Sequence, residues 1–93
     1  MGNMTQIDLV ALKRYATELE NFKAGVIKYC NDLETGINSC SKYMQDEPSK
    51  RALAKSYQVA EDIKKCVEQT QRTLDRVYMM IRVIESSNEY ESM

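Results

Sequence analysis

The sequence contains no histidine and no tryptophan. Without histidine, the chain lacks the commonest general base and the commonest metal ligand of proteins. Its three cysteines, Cys30, Cys40 and Cys66, include no Cys-x-x-Cys pair, and their odd number is typical of a reducing compartment. Metal ligands or redox sensors are the alternative, but we interpret all three as small apolar core residues. We therefore predict no metal site, no cofactor and no small-molecule substrate.

Glycine and proline are also scarce, with three and one in 93 residues, so the chain has few places to turn. The net charge of −1 leaves no basic surplus for phosphates, and we predict no nucleic-acid partner. No stretch is apolar and long enough to span a membrane, and the first residues show no signal peptide. A cytoplasmic location is the expectation that follows.

Apolar residues recur every seven positions in the first half of the chain, which indicates one long amphipathic helix. Lys23 interrupts one row of this repeat and Gly36 interrupts another. The rows are Leu12, Leu19, Val26, Leu33 and Cys40; Leu9, Ala16, Cys30, Ile37 and Met44; and Tyr15, Phe22, Tyr29 and Tyr43. The phase is unchanged across Gly25 and Gly36, so we predict a continuous helix one over about 6–44. The alternatives to an uninterrupted helix are a break at Gly36 or a close approach of another backbone at that glycine.

The segment around Asp46-Glu47-Pro48 is the one clear turn signal. Proline is tolerated in the first turn of a helix, and Asp46 is a good N-cap. We predict a turn at 45–48 and a second helix over about 48–87, with a disordered tail at 88–93. The rows of helix two are Leu53, Ala60, Val67, Leu74 and Ile81; Ser56, Ile63, Thr70, Val77 and Ile84; and Ala52, Val59, Cys66, Thr73 and Met80.

These elements predict an all-α fold, a single domain over 1–93 that forms an antiparallel hairpin of two long amphipathic helices. A seam between two helices uses two apolar rows, but each helix here offers three. The surplus face predicts a four-helix bundle completed by a second copy or by a different helical protein. The aromatic row can instead cover the edge of the hairpin's own core. The predicted partner-binding residues are Tyr15, Phe22, Tyr29, Tyr43, Val59, Cys66 and Met80.

Two long helices joined by a short central turn, in a chain of about this length, resemble the WXG family of small helical hairpins of type VII secretion. The outline is most similar to the WXG-like partners of LXG toxins. The Trp-x-Gly hallmark is absent, and Asp46-Glu47-Pro48 stands at that turn. The terminal Tyr-x-x-x-Asp/Glu export signal is absent too, because Arg82 follows Tyr78 at that spacing. The resemblance implies a partner or targeting chaperone for a larger exported protein such as an LXG toxin, and export without a signal peptide.

The function predicted from these observations is therefore a non-catalytic helical binding protein, acting as a homodimer or as the partner of an exported protein. The alternative is a cytoplasmic homodimeric coiled coil with a structural or regulatory role unrelated to secretion. A helical enzyme subunit or metal carrier is a third hypothesis. Its weakness is that no carboxylate lies on an apolar row at a spacing that would bury it.

Overall fold

The computed structural model describes residues 6–92, with side chains from 8 to 88, and contains two α-helices in this range. Helix α1 spans Gln6–Ser41 and α2 spans Glu47–Ser92. They pack antiparallel into a rod that measures 70 × 18 × 15 Å. Residues 6–92 form no strand, and neither helix has a stretch long and apolar enough to cross a bilayer. The predicted all-α hairpin is confirmed.

The seam between the helices is built on one of the three apolar rows of α1. Leu9, Ala16, Cys30 and Ile37 are buried, and they belong to the row that Lys23 interrupts. The facing side of α2 contributes Ala60, Leu74, Val77, Ile81 and Ile84.

Most of the buried apolar volume lies at the end of the rod that is remote from the turn. One cluster there joins residues near both ends of the chain, with Leu74 fully buried at its centre. Its members are Leu9, Ala16, Leu74, Val77, Ile81 and Ile84, with Leu12 and Leu19 packed against it. Nearer the turn, the buried residues of the described chain are fewer and smaller, so the two ends of the rod differ in packing.

Helix α1 is continuous through both of its glycines, as predicted. Neither Gly25 nor Gly36 has a positive φ, so both adopt ordinary helical backbone. The seven-residue phase of the apolar rows therefore carries through the whole helix, and the break considered at Gly36 does not occur.

Helix α1 ends at Ser41, three residues before the predicted end at 44. The amide of Tyr43 donates to the carbonyl of Cys40 at 2.9 Å, and the chain tightens into a turn. The side-chain amide of Gln45 then donates to the carbonyls of Ser41 and Lys42, at 3.4 and 3.1 Å. These bonds satisfy carbonyls that the helix leaves open, so α1 stops without a glycine cap.

Helix α2 begins at Glu47 with Asp46 as its N-cap, which confirms the predicted role. The Asp46 carboxylate accepts hydrogen bonds from the amide and the hydroxyl of Ser49, at 3.2 and 2.6 Å. These bonds lower the pKa of the Asp46 carboxyl, with the hydroxyl bond as the larger cause. Pro48 sits in the first turn, where its missing amide has no helical partner to lose.

The prediction of a disordered tail over 88–93 is wrong for the residues described, because α2 continues to Ser92. Ser86, Ser87 and Asn88 are weak helix formers, but each costs only a few tenths of a kcal/mol relative to a good one. Extending a formed helix requires no new nucleation, and the segment has no glycine or proline to stop it. Met93 lies outside the described residues.

Replacing Asp46 with alanine should lower the melting temperature of the chain by about 5 °C, because the first turn of α2 loses its cap. Asp46→Asn is the control, since its amide oxygen can still accept the Ser49 bonds. The folded pKa of Asp46 lies below its usual value of 3.8, so its charge stabilises the fold above that pH. This contribution is lost as the pH falls through the folded pKa, and the Asp46→Asn variant should lack that part of the acid transition. Thermal circular dichroism between pH 2 and 7 measures both effects, and equal melting of Asp46→Ala and the unmodified chain would contradict the cap.

Candidate partner-binding surface

One long edge of the hairpin is closed by polar side chains that reach from one helix to the other, and we call it the polar edge. Its cross-helix hydrogen bonds and ion pairs run along most of the rod. They join Lys13 to Glu85 at 2.9 Å, Glu20 to Tyr78 at 3.1 Å, Lys23 to Gln71 at 2.7 Å, Glu34 to Lys64 at 3.1 Å and Asn38 to Tyr57 at 2.6 Å. This edge is solvated and charged, so it offers little to an apolar partner.

Cys30 belongs to a small polar cluster at this edge. Its thiol donates to Glu34 at 3.4 Å and lies 3.6 Å from the carbonyl oxygen of Ala60. Burial, followed by the bond to Glu34, raises the pKa of the Cys30 thiol. The hydrogen bond from Lys64, followed by that from Cys30, lowers the pKa of Glu34. Cys30 is therefore held as a neutral thiol, which is a packing role and not that of a nucleophile.

On the opposite side of the seam, four adjacent rows carry no charged residue over positions 12–40 of α1 and 52–84 of α2, and we call this stretch the charge-free face. The rows reach a charged residue only beyond these positions, at Asp8 and at Glu91. Charged residues make up 29% of the whole chain, so this gap is a feature of the sequence pattern. The α1 rows are Leu12, Leu19, Val26, Leu33 and Cys40, and Tyr15, Phe22, Tyr29 and Gly36. The α2 rows are Ser56, Ile63, Thr70, Val77 and Ile84, and Ala52, Val59, Cys66, Thr73 and Met80.

Six of the seven predicted partner-binding residues lie on the charge-free face, and the seventh, Tyr43, lies in the turn just beyond the end of α1. The four aromatic side chains, Tyr15, Phe22, Tyr29 and Tyr43, are 48% to 76% exposed. On α2, Val59 and Met80 are about half exposed and Cys66 is half-buried. The hairpin's own core therefore leaves much of this apolar surface in solvent.

Two shallow apolar grooves run along this face between the helices. The first, of about 430 Å³, is lined by Asn21, Phe22, Gly25, Val26, Tyr29, Ile63 and Cys66. The second, of about 380 Å³, lies toward the turn and is lined by Asp32, Leu33, Gly36, Ile37, Cys40, Met44, Leu53 and Ser56, with Asp32 as its one charged residue. Both grooves take lining residues from both helices, so the two stripes of apolar side chains form one continuous surface.

The three cysteines do not share one environment, which corrects the prediction that all are core residues. Cys30 is buried as predicted, Cys66 is half-buried, and Cys40 is exposed. Cys30 occupies the row that faces α2 directly, whereas Cys40 and Cys66 lie on rows that flank the seam. Both of these belong to the charge-free face.

The glycines of α1 border the two grooves without being crowded by any part of the described chain. A β-carbon added at Gly25 or Gly36 would meet nothing within 4 Å. The hairpin itself therefore does not require glycine at either position, and the close backbone approach considered at Gly36 does not occur within the chain.

Gly25→Ala and Gly36→Ala should each raise the free energy of unfolding by about 0.5–1 kcal/mol, because alanine restricts the unfolded chain and favours helix. Urea denaturation followed by circular dichroism measures the change. Ala24→Gly is the matched reverse substitution, at an exposed position of the same helix, and should lower the stability by a similar amount. A loss of stability on adding alanine would mean that another chain approaches the glycine closely.

The polar edge was not anticipated from the sequence, although a signal for it exists. In an antiparallel hairpin, residues equally far from the turn lie at the same level. Glu34 and Lys64, and likewise Lys13 and Glu85, are equally distant from Ser49 along the chain. Pairing residues outward from the turn would have found both ion pairs.

Within residues 8–88, no group of three or more histidine, cysteine, aspartate or glutamate side chains is placed to hold a metal ion. Comparison with protein-family models, with curated proteins and with solved structures finds no match to this chain.

Proposed function

We propose that this chain is a non-catalytic helical binding protein that buries its charge-free face against another helical surface. The observation that carries this proposal is the division of the hairpin into a bridged polar edge and an unbridged apolar face. The partner's surface must also be uncharged, because an unpaired charge pressed against this face would lose its hydration without compensation.

The exposed area of the chain supports a partner of substantial size. A compact monomer of this mass exposes about 5,500 Å², whereas this chain exposes 7182 Å². The difference, about 1,700 Å², belongs to the whole rod and exceeds the roughly 800 Å² that each protein buries in a standard stable interface.

The occupant that we infer is a second copy of the chain. Its own charge-free face has the chemistry that the partner needs, and its 70 Å length matches the full length of the rod. Two hairpins packed face to face form a four-helix bundle, in which every apolar row has a partner.

The solution mass of the purified chain tests this inference, by light scattering after size exclusion over a dilution series. A constant mass of twice 10.8 kDa would support the second copy. A monomer throughout the series would contradict it, and the face would then be assigned to a different helical protein.

The WXG-like resemblance implies a different partner, which we also propose. This partner is the helical part of a larger protein exported by type VII secretion, and the hairpin stabilises it before export. Co-purification with the N-terminal region of an LXG protein encoded beside this chain would support that setting. The control is a variant with a glutamate on the charge-free face, which should not co-purify.

A further inference from the structure

Lys23 occupies an unusual place, because it lies in the innermost row of α1 with the buried residues Ala16 and Cys30 one heptad to either side. Its ammonium donates to the Oε1 atom of Gln71 at 2.7 Å and lies 3.7 Å from the carboxylate of Glu20. The side chain is 23% exposed, so the seam partly encloses it. Lys23 therefore places an ammonium group where the α1 repeat calls for an apolar side chain, and Gln71, on the polar row of α2, accepts its hydrogen bond.

The pair is connected to further polar groups on both helices. Gln71 donates its amide hydrogen to Asp75 at 2.9 Å, and Tyr78 donates its hydroxyl to Glu20 at 3.1 Å. The network crosses the seam at the edge of the main apolar cluster, between that cluster and the more thinly packed half near the turn. It satisfies the polar atoms of the pair and fixes them in one arrangement.

The apolar rows alone do not specify how α1 and α2 align along the rod. Both helices repeat every seven residues, so sliding one helix by seven residues would again place apolar side chains opposite apolar side chains. Within one chain, the short turn before Pro48 limits such sliding. The turn does not limit sliding when α1 of one copy packs against α2 of another copy.

The polar residues penalise both of the nearest slipped alignments. In one of them, Glu20 would move from Tyr78 to the level of Glu85, which places two carboxylates opposite each other. In the other, Lys23 would move from Gln71 to the level of Lys64, which places two ammonium groups opposite each other. Each slip replaces a hydrogen bond across the seam with repulsion between like charges.

We propose that the Lys23–Gln71 pair is a register element, which makes the seam less stable than an apolar pair would but, together with Glu20 and Tyr78, restricts α1 to one alignment with α2. Single polar residues in apolar seams have this effect in coiled coils, where they specify register and partner at a cost in stability. The role is separate from partner binding on the charge-free face, because the pair lies on the polar edge.

Replacing both residues with leucine in the full-length chain tests the proposal. The melting temperature should rise by about 5 °C or more, because an apolar pair replaces a partly buried polar one. Cys30 reports exchange between registers, since it is buried in the seam and can react only while the helices are apart, whereas Cys40 is exposed throughout. Modification of the three thiols by a maleimide, resolved by mass spectrometry of the peptides, gives a rate for each.

In the unmodified chain, Cys30 should react much more slowly than Cys40. In the double-leucine variant, Cys30 should react about tenfold faster or more, despite the higher melting temperature, because exchange between registers requires the helices to separate and exposes the thiol while they are apart. A higher melting temperature with Cys30 as slow as before would overturn the proposal, and so would a lower melting temperature.

Two further variants keep the test decisive if the leucine pair misfolds. Lys28→Leu with Gln69→Leu makes the same chemical change at exposed positions outside the seam and should leave Cys30 slow. Lys23→Gln with Gln71→Lys exchanges the partners, keeps the pair and should also leave Cys30 slow. Fast modification of Cys30 in the exchanged variant would show that the pair does not determine the register.

Discussion

A Phe22→Glu substitution is expected to weaken association through the charge-free face by about 100-fold or more while the hairpin stays folded. Phe22 is 51% exposed in the single chain and lines the larger groove beside Val26 and Ile63. In the complex, the new carboxylate would be buried among apolar groups with no cation within the four rows to pair with it. Light scattering gives the mass, and sedimentation equilibrium gives the dissociation constant.

Val10→Glu is the matched control for this experiment. Val10 is 52% exposed on the same helix, but it lies four heptads from Asn38 on the row that borders the polar edge. It should leave the dissociation constant within about threefold of the unmodified chain. If both substitutions weaken association equally, the charge-free face is not the interface, and the proposed function fails with it.

Leu74→Ala should have the largest effect on stability, a loss of about 3 kcal/mol in the free energy of unfolding. Leu74 has 0% exposure at the centre of the main cluster, where truncation removes buried methyl groups and leaves a cavity. A two-helix layer has few further residues that can collapse into such a space. Urea unfolding measured at fixed protein concentration gives the value, since association would make the apparent stability depend on concentration.

Met79→Ala serves as the comparison on the same helix. Met79 is 59% exposed, and its truncation should change the free energy of unfolding by less than about 0.5 kcal/mol. A loss at Met79 as large as that at Leu74 would mean that the core does not lie where the structure places it.

The helices and the turn were predictable because their signals are local. The seven-residue rows, the Asp46 cap and the single proline each act within a few residues, and the structure has the hairpin that they indicate. The end of α1 was missed because Gln45 caps it with a side-chain amide, an arrangement without a strong sequence signature.

The choice of inward row was not predictable from the sequence, because three rows of α1 are apolar and any two of them could form a seam. The row that Lys23 interrupts is the one that lies at the centre of the seam. The cause is the partner, since Gln71 accepts the Lys23 hydrogen bond across the seam. Cys30 is buried and Cys40 is exposed, although both are cysteines on α1. Their burial depends on where each lies relative to α2, which is distant in sequence.

The candidate face was predicted in part. Six of the seven residues proposed from the surplus rows lie on one side of the hairpin, Tyr43 lies in the turn, and their role in binding stays a prediction. The contrast with the polar edge was missed, since it depends on which residues the turn brings to the same level.

The position of the main apolar cluster, at the end of the rod remote from the turn, reverses the usual pattern of fraying. Chain ends ordinarily open first, but here Leu9 and Ile84 hold the best-packed part of the molecule together. The backbone amides of α1 and α2 within this cluster should therefore exchange with deuterium most slowly, and those beside the 42–46 loop most quickly. Opening the hairpin near the turn leaves this cluster packed. The hairpin tip can therefore open and close many times during the life of one folded molecule.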